Sequence, residues 1–165
     1  METTLKTVLF ILLFAFIIQM QYNLDADKTA TRQLKSGIEL AVHDAAMAVN
    51  PEKIAEGKIV FDENQAINNL KASLEANLNV RSNGGYVYTP NKTSFYKNDL
   101  YIVDLVFLDD RLGKPYPFTY EDPTYNIIEQ INGPSIIAVI TTESPRWFNG
   151  RKTFIRQAAV YEYKK

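Results

Sequence analysis

The sequence predicts an α+β chain: an apolar amino-terminal helix that continues into a long amphipathic helix, a second helix, and then an antiparallel sheet. Three observations carry that prediction. Val8 to Ile18 reads VLFILLFAFII, eleven residues without a polar side chain. No Gly or Pro interrupts the chain between Met20 and Gly37, and helix formers dominate up to Asn50-Pro51. Most of the ten Tyr and nine Phe fall after residue 85, where the chain changes from Ala- and Leu-rich to Tyr-, Ile- and Val-rich, the composition of a pleated sheet and its covering layer.

The apolar run and its flanks, from Leu5 to Met20, make roughly 24 Å of helix at ~1.5 Å per residue, slightly less than a ~30 Å hydrocarbon core. Thinning of the bilayer or snorkelling of the flanks closes such a gap. A cleaved secretory signal is the competing reading. It requires small residues at −1 and −3, yet Phe16 to Tyr22 offers none, and Ala26 and Ala30 have Leu24 and Lys28 two residues before them. The expectation is an uncleaved single-pass anchor over 1–22 in the cell membrane, followed by one extracytoplasmic domain over 23–165. The seven-residue tail with Lys6 favours a cytoplasmic start, although Lys28, Arg32 and Lys35 follow the span.

Of 165 residues, roughly 145 remain for the domain, enough for one sizeable core. Lys plus Arg number 18 against 19 Asp plus Glu, so the chain lacks the basic field of a nucleic-acid binder. The absence of Cys excludes disulfides, Cys-ligated zinc and thiol chemistry.

Beyond the anchor, helix is expected over about 23–49, with room for a bend near Asn23 to Asp27. Leu34, Ile38, Ala41, Ala45 and Ala48 form a narrow stripe with small residues at one end. Two uses are open to it: covering the domain's own core, or close approach by another subunit. Asn50-Pro51 ends this helix, and Asn50 caps one further turn over Pro51 to Glu56, closed by Gly57. Asp62 with Gln65 reads as a capping box, and Ile67, Leu70, Leu74 and Leu78 place a second helix over 63–78. Asn83-Gly84-Gly85 is a turn, and the sheet occupies about 86–163. Its first strand begins at Tyr86 and is interrupted by Pro90. Leu100 to Leu108 is the strongest strand, with Leu100, Ile102, Asp104, Val106 and Leu108 on one face by strict alternation. Tyr125 to Ile131 reads equally well as helix or strand. Ser135 to Thr142 and Thr153 to Tyr163 are an expected antiparallel pair, joined through Pro145 and Asn149-Gly150.

Few residues invite chemistry. His43, the one His, lies off the apolar stripe and reads as a boundary residue; without Cys it makes no familiar zinc site. Asp109-Asp110 and Glu121-Asp122 lack EF-hand spacing and read as solvated loop charges. Asp104 interrupts an apolar strand face, which points to an edge position or a Lys or Arg partner. No Ser sits in a nucleophile elbow, and Gly84-Gly85 lacks the Lys and helix of a P-loop. Asn91-Lys92-Thr93 matches a glycosylation sequon by its letters. No catalytic residue, metal ligand or cofactor site is therefore expected, nor a small-molecule substrate. Trp147-Phe148, beside Pro145 and Arg146, is either a recognition tip or a pair of aromatics folded over the sheet.

VLFILLFAFII running into the Ala-rich Gly37 to Val49 (GIELAVHDAAMAV), then a second helix and a Tyr-rich sheet, resembles the pilin-like architecture and, more narrowly, the TadE-like membrane proteins of tight-adherence pilus systems. Glu2 precedes the apolar run and no Gly-Phe processing site is present, which departs from the prepilin pattern. The resemblance implies a non-enzymatic envelope protein, an accessory or minor subunit of a surface pilus or secretion assembly. Its partners would be the membrane and other pilin-like or secretion-system subunits, met through Leu34, Ile38, Ala41, Ala45, Trp147 and Phe148. The alternative is a membrane-tethered ligand-binding or sensor ectodomain.

Overall fold

The computed structural model describes residues 2–148 and 152–164. Asn149-Gly150, the expected turn dipeptide, lies outside the described residues.

One unbroken helix, α1 (Glu2–Ala46), carries both the apolar run and the amphipathic stretch. No break interrupts it at Asn23 to Asp27. It stops three residues before the expected end because the chain turns off to pair elsewhere. Val49 bridges Phe61, the Asn50 amide donates to the Val60 carbonyl at 2.8 Å, and Asp62 N donates to Ala48 O at 2.9 Å. The short α2 (Pro51–Ala55) starts as expected, with Asn50 Oδ1 accepting from the Glu52 and Lys53 amides. The next helix, α3 (Glu63–Leu78), is capped by Asp62, whose carboxylate accepts from Gln65 N at 3.1 Å. Asn79 ends it at φ 53°, in the left-handed conformation that Asn tolerates.

Among the described residues seven strands follow: β1 (Val80–Ser82), β2 (Val87–Pro90), β3 (Leu100–Leu108), β4 (Phe118–Asp122), β5 (Ile127–Ile131), β6 (Ser135–Glu143) and β7 (Phe154–Glu162). Five form an antiparallel sheet in the order β1-β2-β3-β6-β7, and β4 pairs with β5 as a separate hairpin. Pro90 fits within β2 because it is the last residue of the strand, opposite Val80, where a missing amide costs least. The ambiguity over 125–131 resolves to a turn followed by strand, since Asn126 takes φ 55° and β5 finds a partner in β4.

Strict alternation along β3 does not hold. The register with β6 shifts between Ile102 and Asp104, leaving Val103 as an extra residue in a bulge. A shift of one residue exchanges faces. Leu100 and Ile102 therefore share the helix-side core with Leu105 and Phe107, while Val106 and Leu108 join the opposite cluster.

The layers follow from these faces. α1 and α3 cover one side of the sheet through Leu34, Ile38, Val42, Leu70 and Leu74 against Leu100, Ile136, Ala138 and Ile140. The β4-β5 hairpin covers the other side, with Ile127 and Ile131 against Ile137 and Val139. β6 is thus apolar on both faces because it lies under cover on both, as expected of a central strand. Gly37 lets α1 and α3 approach closely: a Cβ there would collide with Leu78 Cδ2.

Candidate functional site

Residues 2–17 of α1 are exposed throughout. Leu5, Leu9, Phe10, Phe14 and Phe16 are each at least 60% exposed, and side chains all around the helix are apolar. The helix is long and apolar enough to cross a membrane. An exposed apolar surface of this size is the kind that marks a membrane or protein interaction site.

The second half is the reverse. Leu34, Ile38, Ala41 and Ala45 are at most 1% exposed, packed in the domain's own core. Of the two uses open to this stripe, covering the core is the one observed, and close helix contact is made by α3 at Gly37. The small residues are needed there because a larger side chain would hold α1 away from the sheet.

Between the halves lies a neck that sequence reasoning missed. The chain after β6, Ser144 to Phe148, folds back onto α1. Asn23 makes a reciprocal pair with Phe148: its Nδ2 donates to the Phe148 carbonyl at 3.3 Å and its Oδ1 accepts from the Phe148 amide at 3.1 Å. One turn on, Asp27 accepts from Arg146 Nε at 2.9 and 3.1 Å, from Arg146 Nη2 and from the Ser144 hydroxyl. The hydrogen bond from Arg146 holds the Asp27 carboxyl below its usual range; burial opposes this and Ser144 adds to it. Tyr96 extends the neck, its hydroxyl donating to the Ala30 carbonyl at 2.8 Å, and burial raises its pKa. Nothing local in the sequence marks it: Asn23 and Asp27, one turn apart, look like ordinary solvated helix residues.

Trp147 and Phe148 are therefore neither folded over the sheet nor free. Their backbone is fastened to the neck, while Trp147 stays 65% exposed with Lys97 Nζ 4.7 Å from its ring centroid. Phe148 faces Tyr22, with ring centroids 6.2 Å apart.

The remaining candidates are placed as follows. Asp109 is buried rather than solvated: it accepts from Phe61 N at 3.1 Å and pairs with Arg111 at 2.8 Å. Asp110 accepts from Ile59 N at 2.6 Å, so this pair fastens segment 59–61, whose amides need acceptors. Asp122 caps the β4-β5 turn through Thr124 N at 2.8 Å. Asp104 has no Lys or Arg partner among its described contacts; its Oδ2 is buried without a hydrogen bond, and burial first, then the Asp122 charge, raises its pKa. His43 sits at the boundary, edge-on to Tyr161 at 4.7 Å. The Asn91 amide donates to Asn79 Oδ1 at 3.0 Å. Among the described residues no group of three or more His, Asp or Glu is placed to hold a metal ion.

These features define an α+β domain carried on the same helix as an exposed apolar rod. No protein-family model, curated protein or solved structure matches this chain.

Proposed function

We propose that this chain is a non-enzymatic, single-pass envelope protein, anchored by residues 1–22 with its α+β domain outside the cytoplasm. In this reading it is an accessory or minor pilin-like subunit of a surface pilus or secretion assembly. One observation supports it above the others: a single helix, Glu2–Ala46, is exposed and apolar along its first half and buried in the sheet domain along its second. Such a rod couples a folded head rigidly to whatever covers the apolar half, which is what packing of subunits through their helices requires.

The test is site-specific photocrosslinking in cells with a crosslinker at Phe10 or Phe14, both far from the head. The expected result is a discrete adduct to the apolar helix of another protein or of a second copy. Adducts to lipid alone, with the protein recovered as a monomer, would remove the assembly role. They would leave the tethered ligand-binding or sensor ectodomain as the reading to pursue.

A further inference from the structure

We propose that the Trp147-Phe148 tip is a second membrane contact, seated in the headgroup layer of the bilayer that the apolar half of α1 enters. This rests on the anchor reading above. The position of the tip along the helix supplies the first argument. Phe148 is held by Asn23, five residues beyond Ile18 and hence roughly 7 Å along the axis at ~1.5 Å per residue. The polar layer on each side of the hydrocarbon is itself about 5–8 Å thick. The tip therefore lies where the acyl region gives way to headgroups.

Direction supplies the second argument. Phe148 packs toward Tyr22, which is on the amino-terminal side of Asn23 and 56% exposed, so the Phe148 ring faces the apolar half of the helix, with the Trp147 ring beside it against Lys97. Chemistry supplies the third. Trp and Tyr favour this layer because each joins an apolar ring to a polar group. Lys97, over the indole and 3.2 Å from the Arg146 carbonyl, brings an ammonium to the same place, where lipid phosphates lie. In water alone, most of the Trp147 ring is left uncovered apart from its contact with Lys97. Against a bilayer it fixes the tilt and rotation of the head, because Asn23 and Asp27 tie the tip to the helix.

Trp147 is the chain's one Trp, so fluorescence excited at the red edge of the absorption band, where the ten Tyr do not absorb, reports on the tip alone. The protein is reconstituted into phosphatidylcholine vesicles containing phosphatidylglycerol, with nitroxide lipids labelled near the glycerol backbone or near the acyl-chain end. Flotation of the vesicles is measured in parallel. The expected result is co-flotation, loss of fluorescence with the shallow nitroxide, much less loss with the deep one, and protection from aqueous iodide. The Asn23→Ala/Asp27→Ala variant, with the tip released, should lose much of that shallow quenching while still floating. Co-flotation with full iodide access and no nitroxide quenching would overturn the tip contact and leave the anchor standing. Protection from iodide without nitroxide quenching, lost on dilution with excess lipid, would assign the tip to a protein partner instead. Failure to float would overturn the anchor and the tip contact together.

Discussion

The Asp27 carboxylate and the Arg146 guanidinium, 119 positions apart in the chain, lock the segment that follows β6 onto the helix just beyond its apolar half. Without that pair, α1 would be tied to the head at this level only by the Asn23–Phe148 and Tyr96–Ala30 hydrogen bonds among the described contacts. With it, the helix and the sheet are fastened at the point where bending forces on the head would act.

Loss of this pair should be visible in the pH dependence of stability. The folded pKa of Asp27 is depressed, chiefly by the Arg146 hydrogen bond. Its contribution is therefore fully present above the unfolded Asp value of about 3.9 and is lost as pH falls through the lower folded value. Asp27→Asn should lower the Tm of the full-length protein in detergent at neutral pH, by the equivalent of about 1–3 kcal/mol for a charged hydrogen bond. The gap from the parent should close as the pH falls below that range. A gap unchanged down to strong acid would show that the charge of Asp27 contributes nothing.

Enlarging the small-residue stripe should damage the head itself. Ala41 is fully buried against the core, so Ala41→Leu overpacks it and should cost about 1–3 kcal/mol. Phe10→Ala, on the exposed apolar half, should leave the melting of the head unchanged. Far-ultraviolet circular dichroism on both variants checks this. An unaltered Tm for Ala41→Leu with lost subunit crosslinking would return the stripe to a partner.

The helices were legible in the sequence because each signal is local: an apolar run, a cap at Asn50 or Asp62, a three-and-four periodicity. The sheet was legible in part. β6 and β7 announced themselves by length, but β1 has three residues directly after a helix, too few for a pattern to register. β4 gains its strand character from β5 and from the sheet beneath it, a tertiary effect. The bulge at Val103 left no mark in the letters, since bulging depends on the partner strand. The neck was unreadable for the same reason: Asn23 and Asp27 look like solvated helix residues until the chain 119 to 125 positions later returns to them.

The close approach of α1 to α3 makes a sharp prediction at Gly37. A methyl group there would meet Leu78 Cγ at 2.8 Å and collide with its Cδ2, so Gly37→Ala should destabilise the domain although Ala is the better helix former by about 1 kcal/mol. Adding Leu78→Ala removes the obstacle. The double variant should then be more stable than the sum of the two single losses, a coupling of roughly 0.5–3 kcal/mol measured by chemical denaturation. Additive losses would mean that α3 shifts freely to accommodate the methyl group.

Asp109 should prove essential to the loop that carries it. Its side chain is 1% exposed and holds both Arg111 and the Phe61 amide. Asp109→Ala would leave a buried amide without an acceptor and a guanidinium with only Glu63, at 2.7 Å. The expected loss is about 1–3 kcal/mol for the stranded amide, since the half-exposed Arg111 keeps Glu63 and water, with amide hydrogen exchange at Phe61 accelerating more than at Leu70. Equal acceleration at both would point to global unfolding rather than release of segment 59–61.

Asp104 should behave in the opposite sense to Asp27. Its Oδ2 is buried without a hydrogen bond, and burial and Asp122 raise its pKa. A raised acid holds its proton more tightly folded than unfolded, so it favours folding most at low pH. That advantage disappears as pH rises from the unfolded Asp value of about 3.9 through the folded one. Above the folded value the charged group is a net cost. Asp104→Asn removes that charge at almost constant volume and should raise the Tm at neutral pH. The gain should vanish near and below the unfolded pKa, where the parent side chain is also neutral. Asp122→Asn should give part of the same gain by removing the second charge, offset by a weaker cap on the β4-β5 turn. If Asp104→Asn instead lowers the Tm at neutral pH, the carboxylate is stabilised there by a partner, and the strand residue that looked anomalous in the sequence has a charge-dependent role to be found.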